Sequence, residues 1–288
     1  SYNGIKRIAK RAFSDIIFEN AHMELPESLL EIGNEAFLES KMKKIVIPRN
    51  VIHIGEDAFP PEMEVECLSP YLIREDGKNF TSKTYHVEGI PLEFRITDPI
   101  KKEVSATCFT GENLDGFVFP DIVNIGGDDY LVTAIDSDFE CFYGDFVLPP
   151  HLRKIANDIE FYNGFCLPET LKYFGKCNIY SLDPLHLPEG LRFIADEMDC
   201  SELVNHSPYI NLDKKCVLDE DGKALYFFGR SYKEKNEFYK NIKSETYANY
   251  HKETVMNPIV MDGGIDGLDI YDAINEEIEG FDYEYYWE

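Results

Sequence analysis

Apolar positions along the chain fall on one ruler, most clearly in residues 42–59, MKKIVIPRNVIHIGEDAF. Measured from Pro48, apolar residues stand at minus six, minus three and minus one (Met42, Ile45, Ile47) and at plus three and plus six (Val51, Ile54), followed by Gly55 and the pair Ala58, Phe59. The same offsets around Pro26 give Met23, Leu25, Leu29, Ile32, Gly33, Ala36 and Phe37, with Asn20 at minus six, and 48 − 26 makes a period of 22. Around Pro149 they give Tyr143, Phe146, Leu148, Leu152, Ile155 and Ala156; around Pro168, Tyr162, Phe165, Leu167, Leu171, Phe174 and Gly175. Pro188 adds Leu182, Leu185, Leu187, Leu191, Ile194 and Ala195, so the later periods are 168 − 149 = 19 and 188 − 168 = 20. Pro120 keeps the front half (Leu114, Phe117, Phe119), and Ile5, Ile8, Ala12 and Phe13 fit a back half without its front.

Alternation at minus three and minus one puts two side chains on one face of a short strand. One such unit cannot bury that face, whereas stacked units bury it against one another, strand beside parallel strand, so about three are the least that would be stable. Proline after the strand has no donor for a ladder and ends it. The small residue at plus seven suits a crowded turn. This register predicts burial of Ile45, Ile47, Phe117, Phe119, Phe146, Leu148, Phe165, Leu167, Leu185 and Leu187.

The front half, φxxφxφ, is the leucine-rich-repeat pattern. Ile45-Val-Ile-Pro48 through Ile54-Gly55 to Ala58-Phe59 closely resembles the BspA-type leucine-rich repeat of bacterial surface proteins, whose unit reads roughly LxxIxIPxxVxxIGxxAF. In 143–200 the AF pair has become Ile159-Glu160, Asn178-Ile179 and Met198-Asp199, so there the resemblance is confined to the front of the unit. It implies an α/β chain: a right-handed leucine-rich-repeat solenoid with short parallel strands on its concave face, interrupted by β-hairpin insertions. It also implies a binding role at the bacterial cell surface or in secretion, with no catalytic residues and no cofactor.

Three segments follow. Residues 1–91 are expected to hold a first array with a hairpin, 92–230 a capping hairpin and a second array, and 231–288 a C-terminal cap and acidic tail. Ser69-Pro-Tyr71 with Asp76-Gly77 echoes Ser207-Pro-Tyr209 with Asp221-Gly222, which suggests an internal duplication ending each array in an Asp-Gly hairpin. Residues 92–96 alternate, Asp98-Pro99 turns the chain, and alternation resumes at Val104, which reads as an antiparallel hairpin covering the first array's open end. In 262–288, Leu268, Tyr271, Ile274, Ile278 and Phe281 fall at helical spacing, predicting a short amphipathic helix that closes the second array.

Charge narrows the partners. With 28 Lys and Arg against 54 Asp and Glu the formal charge is -26, ten of the acids lying in 262–288, which argues against nucleic acid and anionic membrane surfaces. No apolar run reaches 18 residues, so no membrane insertion is expected. Because the chain starts at Ser1 in mid-repeat, it reads as a mature fragment or trimmed piece, and a monomer is expected. The seven cysteines show no CxxC and no zinc-type spacing, and they read as small core-filling residues.

Catalytic motifs are lacking: no G-x-S-x-G, P-loop, HExxH or dinucleotide fingerprint is present. Asp262, Asp266 and Gly267 occupy positions one, five and six of a calcium loop, but Gly264 and Ala273 stand where positions three and twelve need oxygen ligands, so no metal site is assigned. The candidate binding residues are those at minus two, which point outward from the strand face: Glu24, Val46, Val118, Val147, Cys166 and His186. Outward valines fit either a partner, protein or glycan, or plain strand propensity. A glycan hydrolase using surface carboxylates and a structural spacer are the competing readings.

Overall fold

The computed structural model describes residues 4–14, 23–75, 77–111, 116–136, 141–143, 146–156, 159–162, 165–175, 177–180, 183–195, 202–218, 222–228 and 233–234. The chain forms two compact units, one of residues 1–110 with 122–131 and one of 111–121 with 132–288. Among the described residues regular structure is almost wholly strand, with helix only at 233–234, so the fold is a β-solenoid of stacked coils and the α/β expectation is corrected. A coil of 19–22 residues explains this: once its strands and proline turn are placed, too few residues remain to nucleate a stable helix.

In the first unit each coil contributes to two parallel ladders. The front ladder joins Glu24 by a bridge to Val46, and Lys44–Ile47 to Glu64–Cys67, with Ile45 opposite Val65. A second ladder links Arg7–Ile8, Glu31–Ile32 and His53–Ile54. Between the two, the carbonyl of Pro26 accepts from the N–H of Leu29 and that of Pro48 from Val51, so the proline opens a tight turn that aims the plus-three side chain inward. The same bond recurs at Pro149, Pro168 and Pro188.

The back of the first-unit coils is closed by aromatic stacking rather than by a ladder. Phe13, Phe37 and Phe59 lie nearly parallel, with centroids 5.1 and 5.9 Å apart, while Phe13 and Phe37 donate their N–H groups to Ala36 and Ala58 of the next coil. Gly55 is required by close approach: a Cβ there would lie 2.4 Å from the backbone nitrogen of Asn34.

The second unit builds its coils on three sides. Its front ladder pairs Phe117–Val118 with Phe146–Val147 and Leu185–Leu187 with Leu203–Asn205. A continuous second ladder runs through Ala134-Ile135, Lys154–Ile155, Tyr173–Phe174 and Phe193–Ile194. Where the first unit has its phenylalanine turns, Cys141–Tyr143, Ile159–Tyr162 and Cys177–Ile179 form a third parallel ladder. Loss of the AF pair therefore marks a change of backbone path. Extended chain covers about 3.3 Å per residue against about 2 Å for tight helical turns, which agrees with the shortening of the period from 22 to 19 and 20.

Both units end in the same latch. Ser69 accepts from the N–H of Tyr71 and donates to the carbonyl of Val51; Ser207 accepts from the N–H of Tyr209 and donates to the carbonyl of Leu191. Val51 and Leu191 are each three residues beyond their coil's proline, so the Ser-Pro-Tyr echo is an equivalence in space. Beyond the latch, the antiparallel strands Leu72–Arg74 and Phe80–Ser82 place Leu72 and Phe80 in the first-unit core, and Ser82 Oγ bonds the carbonyl of Ile52. This nearer hairpin closes the first array. The strands Leu92–Asp98 and Glu103–Phe109 also pair antiparallel, turned where Asp98 Oδ1 accepts from Ile100 and Lys101, and they join the sheet of Thr84–His86. In the second unit the equivalent cover is the sheet Ile210–Asn211, Cys216–Leu218 and Ala224–Phe227, from which Tyr226 donates to the carbonyl of Ala195 and packs on Phe193. The helix expected over 262–288 lies outside the described residues.

Eight of the ten core positions expected from the ruler are buried, and Phe117 and Phe165 are half-buried. Phe37→Ala, at the centre of the ring stack, is expected to destabilise by about 3–5 kcal/mol in denaturant titration. Ile47→Asp, which buries an unpartnered charge, should abolish the cooperative transition of the first unit. Ser207→Ala should cost about 1–3 kcal/mol, because the Leu191 carbonyl and Tyr209 N–H lose a buried partner.

Candidate ligand-binding face

Strand pleat decides which side chains leave the coil, and at minus two they leave it on the front ladder. In the first unit, Glu24, Val46 and Glu66 form one row across three coils. Val46 is half-buried between the two carboxylates, and Lys44 lies 3.1 Å from Glu64 and 3.0 Å from Glu66. Those carboxylates, Glu66 first, hold the Lys44 ammonium above its ordinary range. This row is a paired-charge surface.

The row in the second unit has another character. Val118 and Val147 are directly paired and leave 65% and 57% of their surface in water, the two highest values among the large apolar side chains described. Cys166 is exposed in the segment between the two halves of the ladder. His186 pairs with half-buried Val204, and its Nδ1 lies 3.0 Å from Nε2 of His206, the rings stacked 5.3 Å apart. That contact needs one ring to donate and the other to accept. Of the six candidates, the structure thus places Glu24 and Val46 in the first unit and Val118, Val147, Cys166 and His186 in the second. The ruler missed Glu66, Val204 and His206 because their strands are not followed by a ruler proline. Their signal is the period itself, 20 residues after Val46 and 18 after His186.

The other thiols differ from Cys166 in burial. Burial pushes the Cys67 and Cys216 thiols up from their ordinary value, and Cys177 and Cys216 are buried. Among the described residues no group of three or more His, Cys, Asp or Glu side chains could hold a metal ion, and no helix is long and apolar enough to cross a membrane.

Comparison with known proteins agrees with the coil geometry. The model of the BspA type leucine rich repeat region matches residues 2–84, in six copies. Residues 2–84 are a BspA-type leucine-rich-repeat region. Parallel ladders and proline turns also occur beyond this region, in the second unit, without the AF pair. No curated protein matches the chain. A solved structure of a leucine rich cell surface protein from Faecalibacterium prausnitzii A2-165 is similar at 16% identity over 70% of this chain. The chain covers 57% of that protein's length, and the TM-score of 0.23 is too low for the likeness to bear on fold or function.

Thiol reactivity reads this geometry directly. In native protein an aromatic disulfide reagent should label Cys166 rapidly, while Cys177 and Cys216 should react only on unfolding, as peptide mapping of labelled protein will show.

Proposed function

We propose that the chain is a non-enzymatic binding protein of the bacterial cell surface or secreted space. In this reading it engages a protein or glycan partner as a monomer through the front ladder of its second unit. The carrying observation is the exposure of the cross-strand pair Val118 and Val147: on a strand face, adjacent β-branched side chains left in water are an apolar floor awaiting cover. Cys166, between strands, and then His186 and Val204, paired on a second short ladder, stand at the equivalent register, so one extended ligand would meet equivalent positions from successive coils. A right-handed coil with this ladder on its concave side is the geometry proposed. BspA-type repeats in 2–84 support the surface role, as such repeats serve recognition rather than catalysis. The charge of -26 selects neutral or basic partners at this face.

The domain division into 1–91, 92–230 and 231–288 is retained as part of this proposal, with the binding face in the middle segment. The front row of the first unit, Glu24, Val46 and Glu66, is assigned a lesser role because its one apolar side chain is half-buried between carboxylates, of which Glu66 is already paired with Lys44.

A screen of glycan and protein arrays supplies the partner, and substitution locates its site. Val147→Asp is expected to weaken binding by about 1 kcal/mol or more, as for a desolvated contact residue. Lys41→Gln, which lowers the charge of the first unit by the same single unit, should leave affinity unchanged. Equal affinity for wild type and Val147→Asp would move the site off the front ladder.

A further inference from the structure

Two residues beyond the proline, four coils carry a polar side chain that reaches back to the preceding coil, the coil of Pro120 having Ile122 there instead. Ser28 donates to the carbonyl of Ile5, Asn50 to that of Glu27, and Thr170 to those of Pro150 and Leu152, while His151 bonds Asp121. In the coil of Pro188 this position is Gly190, and no such side chain exists. A Cβ there would lie 2.5 Å from the carbonyl oxygen of Glu169 and 3.0 Å from Nζ of Lys172. Gly190 thus lets this coil pack closely on the one before it, and it forms part of the wall of an open cleft of about 450 Å³ lined by Lys172, Glu189, Gly190, Arg192, His206, Pro208 and Tyr209.

Charge in this cleft runs against the rest of the chain. The position four beyond the proline is buried Leu30 and Ile52 in the first unit, but Arg153, Lys172 and Arg192 in the second. Backbone bonds from Lys172 to Arg153 and from Arg192 to Lys172 hold these three on successive coils, so their side chains leave in one column. Arg192 lies flat on Tyr209, its guanidinium carbon 3.7 Å from the ring centroid, which fixes the plane of its donor fork. Lys172 makes no ion pair among the described residues, in a protein with almost twice as many acids as bases. Glu189 is the one carboxylate in the lining and is exposed at the rim.

We propose that this cleft binds an oxoanion, a carboxylate, phosphate or sulfate group, between the Lys172 ammonium and the oriented fork of Arg192, with His206 as a third donor. The chemistry is charge-assisted hydrogen bonding to a fixed planar donor, which favours bidentate oxygen pairs. The cleft shares His206 with the front face, but Lys172 and Arg192 lie outside that face, so loss of anion binding in Lys172→Gln and loss of partner binding in Val147→Asp are separable results.

Calorimetric titration of the full chain with inorganic phosphate, acetate and glucuronate, at constant ionic strength, tests this. Saturable binding of at least one probe is expected. It should weaken about tenfold in Lys172→Gln, the loss of one charge-assisted bond, be retained in Lys172→Arg, and be unchanged in Lys43→Gln on the first unit. Saturation by phosphate alone assigns phosphate or sulfate esters as the ligand class, and saturation by glucuronate assigns acidic sugars. If no probe saturates, or if Lys172→Gln binds as wild type does while melting normally, the proposal is overturned.

Discussion

Main-chain pairing between equivalent residues of successive coils is the interaction on which the rest depends. A single coil buries little, since its inward side chains close on one another only when the next coil supplies the ladder partner and the next apolar layer. This explains why the two units differ at the back yet agree at the front. Ile45 and Ile47, or Leu185 and Leu187, must stand in fixed register for the ladder to form, whereas the return path is free to be a stack of phenylalanine turns or a third strand. Either solution fills the same space, and the residue count adjusts to the one chosen.

A stack that grows by repetition has two exposed ends, each an apolar layer and a row of unpaired backbone groups. The Ser-Pro-Tyr latch meets the backbone part of this need. Its serine takes the carbonyl three beyond the last proline, which the main-chain ladders leave unused, and its Tyr N–H returns to the serine; in the first unit the carbonyl a further coil would have engaged, that of Ile52, is taken by Ser82. The antiparallel strands that follow then cover the layer itself, through Leu72 and Phe80 in one unit and Tyr226 in the other.

The front strands, the inward residues and the duplication were legible in the sequence because each follows from a spacing that survives substitution among apolar residues. The ladders confirm the outward direction of the minus-two side chains at Glu24, Val46, Val118, Val147 and His186. Other features were not legible. The third ladder of the second unit replaces a recognisable AF pair with residues that fit strand or turn equally well, so only their pairing partners decide. The near absence of helix among the described residues has a reason available beforehand, the shortness of the coil. The basic column at plus four was overlooked because the ruler records apolar positions, and Lys172 and Arg192 acquire meaning only when stacking brings them together. Gly190 was equally silent, since the absence of a side chain carries weight only beside coils that have one.

The shared latch has an evolutionary corollary. Because the serine recognises a backbone carbonyl and not a particular side chain, any coil with a proline turn can precede it. Whole coils can then be gained or lost upstream by in-frame duplication or deletion, with the terminus left intact. An array of this kind is adjustable in length without redesign of its end. Homologous genes should accordingly differ by multiples of one coil, placed ahead of the Ser-Pro-Tyr triplet rather than within or after it.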